Sequence, residues 1–134
     1  MSLETFKLWT DAAMTNEFDW SGGAKKQFHA DGDTVLYFGS PDNTKQCRGL
    51  GDTDIVVTPT DTGSDAHAIT EIKIASTSAG LAGATPGAAL NLGKIAAGGV
   101  GTAKAIHIRM TDSTSGLAST ALQLLFNKLE ELAA

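Results

Sequence analysis

The stretch that decides the fold is Ala103-Lys104-Ala105-Ile106-His107-Ile108-Arg109-Met110. Ile106, Ile108 and Met110 occupy alternate positions in it, with small or polar residues between them. Because successive side chains of a strand point to opposite faces of the sheet, this two-residue period predicts a strand with one apolar and one polar face. Such a strand is stable only when other strands cover its apolar face, so the stretch predicts a two-layer β architecture.

The composition fits one small domain that is rich in turns. The chain has 134 residues, of which 42% are hydrophobic and 6% aromatic, and it contains 15 glycines. That length is typical of a single domain, and abundant glycine with few aromatics favours short strands and many turns over a helical bundle. We therefore expect residues 1–134 to form one all-β domain.

Further strands are predicted where β-branched and aromatic residues run between turn-forming residues. These strands fall at residues 3–9, 34–39, 53–58, 68–75 and 88–93, with a short additional strand at either 17–20 or 27–30. Pro59 is expected to end the strand at 53–58. Together with the strand at 103–110, the total is about seven, which is the pattern of an antiparallel β-sandwich.

The core is expected to lie between the two layers of the sandwich. Its predicted members are Val35, Tyr37, Val56, Ile72, Ile106 and Ile108. In the strand over 68–75, Ile72 and Ile74 should face inward because they alternate with polar residues. Glu71 and Lys73 should then face outward.

The segment at 120–132 fits two structures. Leu122, Leu125, Phe126, Leu129 and Leu132 would share one face of a helix, which begins after a capping residue at 119 or 120. Leu122, Leu124 and Phe126 alternate as in a strand. A sandwich needs a closing strand, which favours a strand, or a strand followed by a turn, but both interpretations remain open.

Residues 10–33 form a long irregular excursion in which turn-forming residues surround large apolar ones. Trp9, Phe18 and Trp20 stand out, because aromatic side chains in a polar segment either cover the domain's own sheet or contact a partner. Burying one such side chain contributes about 1.5–3 kcal/mol, so they are unfavourable in water. We predict that Phe18 and Trp20 are partner-binding residues that contact a neighbouring subunit.

The sequence contains no catalytic or metal-binding pattern. Its loop aspartates fit turns and lack the spacing of a calcium loop; they are Asp31, Asp33, Asp52, Asp54, Asp61 and Asp65. His29, His67 and His107 are far apart, whereas a zinc site needs three or four converging ligands. Gly49-Leu50-Gly51 precedes a strand, which indicates a turn rather than a phosphate-binding loop. We expect no enzyme activity and no catalytic, cofactor-binding or metal-binding residues.

The charge pattern and the single cysteine narrow the class of partner. The net charge is −5, with −6 on residues 1–65 and +1 on residues 66–134. Beyond Lys25-Lys26 there is no basic cluster, so we expect no nucleic-acid partner. Cys47 has no partner for an intrachain disulfide, which fits a loop thiol in a reducing cytoplasm. No signal-peptide pattern and no apolar run of membrane-spanning length is present, so we expect no membrane partner.

A group of stretches over residues 34–112 resembles small immunoglobulin-like virion structural proteins of tailed bacteriophages. The stretches are Thr34-Val35-Leu36-Tyr37-Phe38-Gly39-Ser40-Pro41, Asp54-Ile55-Val56-Val57-Thr58-Pro59, Ala89-Leu90-Asn91-Leu92-Gly93 and Ala105-Ile106-His107-Ile108-Arg109-Met110. The resemblance implies an immunoglobulin-like sandwich without catalytic residues or cofactors. It also implies a virion protein, assembled in the host cytoplasm.

Within that class, the resemblance implies a capsid decoration protein that binds the outside of the head. Its partner would be the major capsid protein or another virion subunit, and a homo-oligomer is compatible with this role. One alternative is a tail, neck or baseplate component. An alternative from another class is a carbohydrate- or surface-binding module, which would need exposed aromatics on one sandwich face. The polar faces of the predicted strands carry Glu71, Lys73, His107 and Arg109 instead.

Overall fold

Antiparallel strands dominate the computed structural model, which describes residues 3–18, 32–61, 69–111 and 122–134. The described strands are β1 (Lys7–Trp9), β2 (Gly32–Gly39), β3 (Lys45–Gly49), β4 (Ile55–Asp61), β5 (Ile72–Ala75), β6 (Leu90–Gly93), β7 (Lys104–Met110), β8 (Leu122–Phe126) and β9 (Leu129–Ala133). The helical elements among them are two 3-10 turns, at Ile69–Glu71 and Ala79–Leu81. The prediction of an all-β, antiparallel, sandwich-like fold is confirmed, with nine strands in the described part instead of about seven.

Three sheets enclose one hydrophobic core. The four-stranded sheet has the order β1-β2-β7-β5, the three-stranded sheet β6-β4-β8, and the two-stranded sheet β3-β9. All three contribute buried side chains to one cluster, whose largest completely buried members are Leu8, Leu36, Phe38, Ile55, Ile72, Ile106 and Ile108. The apolar faces of the sheets therefore cover one another, as the alternating pattern requires.

Strand β7 lies inside the four-stranded sheet, between β2 and β5. Its apolar residues Ile106, Ile108 and Met110 are buried, and the residues between them are half-buried on the other face. Both the strand and its inward face are thus as predicted from the two-residue period.

The predicted inward face of β2 is wrong by one residue. Leu36 and Phe38 are buried in the core, whereas Val35 and Tyr37 are half-buried on the opposite face. The reason is that Val35-Leu36-Tyr37-Phe38 is an unbroken apolar run, in which either set of alternate residues could face the core.

Strand β4 shows the same shift and extends beyond its predicted end. Ile55 and Val57 are buried, and Val56, which was predicted to be in the core, is half-buried. Pro59 does not end the strand but pairs with Leu124 of β8. Proline is tolerated there because β6 pairs with β4 only as far as Val57, so no strand of that sheet needs the missing N–H.

Strand β5 begins later than predicted, at Ile72, and Glu71 is buried instead of facing outward. Glu71 closes the 3-10 turn at Ile69–Glu71, where the two-residue alternation of a strand does not apply. Its backbone carbonyl accepts a hydrogen bond from Thr111 N, at 2.8 Å. Ile72 and Ile74 are buried and Lys73 faces the other side, as predicted.

The C-terminal segment consists of two strands, so the strand interpretation of 120–132 is confirmed over its described part and the helix is excluded there. Strand β9 pairs with β3, which was not predicted as a strand. The sequence of β3 is Lys-Gln-Cys-Arg-Gly, whose polar residues resemble a loop. Cys47 therefore lies buried within a strand, and its assignment as a loop thiol is wrong.

The start of the excursion at 10–33 folds back along β1. Glu17 forms an isolated bridge with Trp9, and Phe18 N donates to Leu8 O at 2.9 Å. The turn between them is held by Asp11, whose carboxylate accepts from the N–H groups of Thr15 and Asn16. Residues 19–31 lie outside the described residues, and with them the expected strand at 27–30 and the second half of its alternative at 17–20, while Gly32 and Asp33 at the end of the excursion belong to β2.

Candidate interaction surface

The four-stranded sheet has an outer face that points away from the core. Register places its residues in rows, because directly paired residues on neighbouring antiparallel strands share a face. We call the following nine residues the outer face: Lys7, Trp9, Asp33, Val35, Tyr37, Lys73, Ala105, His107 and Arg109. Eight of them are half-buried and Asp33 is exposed, so side chains on this face combine partial packing with accessible surface.

One end of the outer face is aromatic. Trp9 pairs with Tyr37, which in turn pairs with Ala105. The indole is oriented by a hydrogen bond from Trp9 Nε1 to Gly39 O, at 2.9 Å. A Cβ atom at Gly39 would lie only 3.0 Å from Met14 Sδ, so the chain is closely packed beside this aromatic row. The Trp9 indole is consequently held in place at a half-exposed position, with half-buried Tyr37 paired beside it.

The other end of the outer face is charged. Arg109 donates from Nε to Asp33 Oδ1 at 2.8 Å and from Nη2 to Asp33 Oδ2 at 3.0 Å. This hydrogen bond lowers the pKa of the Asp33 carboxyl and raises the pKa of the Arg109 guanidinium. Lys73 is the register neighbour of Arg109 on β5 and forms no ion pair with the described residues. This end therefore combines a bidentate ion pair with one further cation.

Val35 and His107 form the row between the two ends. His107 also pairs with Ala75, which is buried although it lies on the outer side of β5. A Cβ at Gly80 would lie 3.3 Å from the Ala75 Cβ, so the turn at Ala79–Leu81 packs over this corner of the sheet. At the opposite edge, Lys7 Nζ and Glu17 Oε1 form an exposed ion pair at 3.0 Å.

A separate ionic network connects β3, β9 and the segment after β6. Arg48 Nε pairs with Glu130 across the two-stranded sheet, and Arg48 Nη1 lies 3.2 Å from Asp52 Oδ1. Lys94 Nζ donates to the same oxygen at 3.0 Å, and this contact lowers the pKa of Asp52. The two cations and the two carboxylates of this network pair with one another. We therefore assign it a structural role, which is to hold these strands together.

The aspartates considered as calcium ligands are partly outside the described residues, namely Asp31, Asp65 and the side chain of Asp61. Of the others, Asp33 and Asp52 form ion pairs, and Asp54 accepts a hydrogen bond from Asn91 at 3.0 Å. In the part of the chain that the structure describes, no group of three or more potential metal ligands converges. The expectation of no metal site stays a prediction.

The turn assigned to Gly49-Leu50-Gly51 is confirmed. Gly49 and Thr53 exchange backbone hydrogen bonds of 2.7 and 3.1 Å across it. Gly51 and Asp52 have φ values of 79° and 64°, which a tight turn requires and which glycine adopts without strain. The turn connects β3 to β4 and leads into no helix.

The two predicted partner-binding residues are not brought together in the described structure. Phe18 is half-buried and packs against the hydrophobic core, while Trp20 lies outside the described residues. Their contact with a partner stays a prediction. The sequence singles out Trp9 as an aromatic residue of interest but predicts Tyr37 in the core. The sequence could not predict that Trp9 and Tyr37 lie side by side, because it contains no local signal for which strands become neighbours in the sheet.

Comparison with known proteins finds no match: neither a protein family, nor a curated protein, nor a solved structure is similar to the chain. Within the described segments, no helix has the length and apolar character needed to cross a membrane. The likeness to phage virion proteins therefore stays a prediction, and the outer face is the feature from which a function can be argued.

Proposed function

We propose that this chain is a non-enzymatic structural protein of a bacteriophage virion, a capsid decoration protein that binds the outside of the head through its outer face. The observation that carries the proposal is the half-exposed pair of Trp9 and Tyr37 on the same face as Arg109 and Lys73. Tryptophan, tyrosine and arginine are the residue types that dominate the binding energy of protein interfaces.

The setting of these residues supports a role in attachment. The Trp9 indole is fixed by its bond to Gly39, and Arg109 is fixed by Asp33. Side chains that are already ordered lose less conformational entropy on binding, which improves affinity. The resemblance to phage virion proteins supports the identity of the partner, namely the major capsid protein or another virion subunit.

A second candidate function is a carbohydrate- or surface-binding module. It is favoured by one observation: the pairing of Trp9 with Tyr37 places two aromatic side chains side by side on one face of the sheet. Such a face is what this alternative requires. The adjacent charges of Lys73 and the Arg109–Asp33 pair fit a protein surface better than an uncharged sugar.

The test is to add the purified protein to capsids that lack it and to measure binding and position on the particle. Saturable binding at regular lattice positions is expected for decoration. Binding confined to one vertex would instead indicate a neck or tail component. Binding to a polysaccharide array without binding to capsids would favour the second candidate.

Two variants of the outer face should weaken capsid binding by roughly tenfold or more, the effect of removing an interface hot spot. They are Tyr37→Ala, which removes an aromatic ring, and Lys73→Glu, which reverses a charge. Lys128→Glu is the matched control, because Lys128 is exposed and lies away from this face. If Tyr37→Ala and Lys73→Glu fold and bind like the control, the outer face is not the attachment surface.

Trp20→Ala alone then tests the partner contact predicted from sequence. A double variant with Phe18→Ala would not separate binding from folding, because Phe18 packs against the core. Loss of binding by a stably folded Trp20→Ala variant would support the contact, and full binding would contradict it.

A further inference from the structure

Strand β8 is an edge of the three-stranded sheet. It pairs with β4 on one side, and no other described strand pairs with it. Its sequence, Leu-Gln-Leu-Leu-Phe, contains neither a charge nor a proline. Edge strands of soluble proteins are usually protected by charged residues, proline or bulges, because an unpaired edge accepts another strand. Among the other edge strands described, β1 carries Lys7, β5 carries Lys73 and β9 carries Glu130, whereas β6 is uncharged but meets β4 with an irregular register.

The alternation of hydrogen-bonded and non-hydrogen-bonded pairs between β4 and β8 shows which backbone groups of β8 face away from β4. Asn127 N donates to Val56 O at 3.1 Å, just beyond the end of the strand. Hydrogen-bonded and non-hydrogen-bonded pairs alternate along an antiparallel ladder, so Leu125 also bonds to its partner Thr58. Leu124, one residue away, therefore directs its N–H and C=O to the opposite side, where no described strand lies.

The outer side of this sheet carries no charge at Leu125 or at the β4 residues beside it, and Asp54, which bonds to Asn91, lies at the far end of the sheet. Leu125 is 58% exposed, and its neighbours Val56 and Thr58 on β4 are half-buried. Asn91 of β6 pairs with Val56 and completes the row. In a chain of net charge −5, a neutral and partly apolar strip is the place where two copies could approach with the least electrostatic repulsion.

We infer that β8 pairs with β8 of a second copy of this chain, in antiparallel orientation and centred on Leu124. The two sheets would join into one of order β6-β4-β8-β8-β4-β6. Such an interface is isologous, so the same groups are used on both copies and the assembly closes as a dimer. It satisfies the backbone groups of Leu124 and covers the exposed Leu125. This inference does not depend on the outer face or on a virion partner.

The centre of symmetry follows from the backbone directions within the strand. With Leu124 opposite Leu124, residue 123 lies opposite Leu125, and the outward N–H and C=O of Leu124 bond to those of Leu124 in the second copy. The two copies of Leu125 are then diagonal neighbours on one face, about 7–8 Å apart. A charge introduced at Leu125 would therefore meet its own copy across the interface.

The first test is sedimentation velocity on the full chain over a wide concentration range. A reversible dimer is expected for the wild type, and Leu125→Glu should raise its dissociation constant at least tenfold. Leu132→Glu is the matched control, since it makes the same change at an exposed leucine on β9 and should leave the constant within twofold. A wild type that is monomeric at every concentration would overturn the inference, as would equal weakening by both variants.

The second test locates the interface by amide hydrogen exchange, measured residue by residue with NMR. The Leu124 amide faces the second copy, so its protection should rise with protein concentration. The Leu125 amide bonds to β4 and should be protected to the same degree throughout, which provides an internal control. A dimer in which protection of Leu124 does not depend on concentration would place the interface elsewhere and refute the pairing of β8.

Discussion

Glu131 on β9 accepts hydrogen bonds from both donors of Thr5, the backbone N–H at 3.0 Å and the hydroxyl at 2.9 Å. The N–H groups of Glu4 and Phe6 donate to the same carboxylate, each at 3.1 Å. Ser40 donates in turn to Thr5 Oγ1 at 2.7 Å. One carboxylate near the end of the chain thereby fastens the segment that leads into β1, which is itself only three residues long.

Removing this carboxylate should destabilise the protein. Glu131→Ala leaves three N–H groups and a hydroxyl without their acceptor, and hydrogen bonds to charged groups contribute about 1.5–3 kcal/mol to stability. We expect a loss of free energy of unfolding of that order in urea titrations. Glu131→Gln keeps one carbonyl acceptor and should lose less. Unchanged stability of Glu131→Ala would show that other contacts hold the segment at 4–6.

The same carboxylate should make stability depend on pH. Burial acts to raise the pKa of Glu131, but the donors on Thr5, Phe6 and Glu4 outweigh it and hold the pKa below its ordinary value. The group therefore stabilises the fold at pH values above its pKa in the unfolded chain, and this contribution is lost as pH falls toward the folded-state pKa.

Urea titrations at a series of pH values should show this loss below about pH 4.3, the ordinary pKa of glutamate. Asp11, Asp33, Asp42 and Asp52 also have lowered pKa values and add to the slope in the same direction. The difference between the wild type and Glu131→Gln isolates the part due to Glu131. If the free energy of unfolding of the two proteins changed with pH in the same way, Glu131 would not contribute to the pH dependence.

Cys47 should be chemically inert in the folded protein. Burial of the thiol and the nearby Glu131 carboxylate raise its pKa to about 12, and the side chain is inaccessible. Since the thiolate is the reactive form, labelling by a thiol reagent at pH 8 should be limited by unfolding of the protein. The measurement is the labelling rate with and without denaturant. Rapid labelling without denaturant, or a change of oligomeric state on adding reductant, would contradict this expectation.

Replacing Ile108 tests the centre of the core. Ile108 is completely buried on β7, and truncation of a buried isoleucine to alanine costs about 2–5 kcal/mol through lost burial and the remaining cavity. We expect Ile108→Ala to unfold at a correspondingly lower urea concentration, with an unchanged slope. A shift within experimental error would mean that this position can collapse or was never tightly packed.

Sequence patterns predicted the strands whose polar and apolar residues alternate. Strand β7 is the clear case, since each of its apolar positions is separated by a polar or small residue. The pattern could not reveal β3, because Lys45, Gln46 and Arg48 surround Cys47, whose side chain is the only buried one in the strand besides the bare backbone of Gly49. That strand exists because β9 and Ile95 supply hydrogen-bond partners from distant parts of the chain. Pairing of this kind is a tertiary effect without a local signal.

The outer face could not be predicted from the sequence for the same reason. The outer face depends on the register between β1 and β2, which places Trp9 beside Tyr37. Sequence identified Trp9 as a residue of interest, but the unbroken apolar run of β2 gave no basis for choosing its outward side. Lys73 and Arg109 were recognised as outward-facing, and their adjacency became known only from the pairing of β5 with β7.

Val56 and Val57 provide the sharpest test of the corrected face of β4, because they are identical residues at adjacent positions. Val57 is completely buried and Val56 is half-buried on the outer side. Val57→Ala removes two buried carbons, at about 0.8 kcal/mol each plus the energy of the cavity, so we expect a loss of about 2–3 kcal/mol. Val56→Ala should cost less than about 1 kcal/mol, and both values can be read from urea titrations. Equal losses would mean that both sides of β4 are covered, and a larger loss for Val56 would restore the inward face first predicted from the sequence.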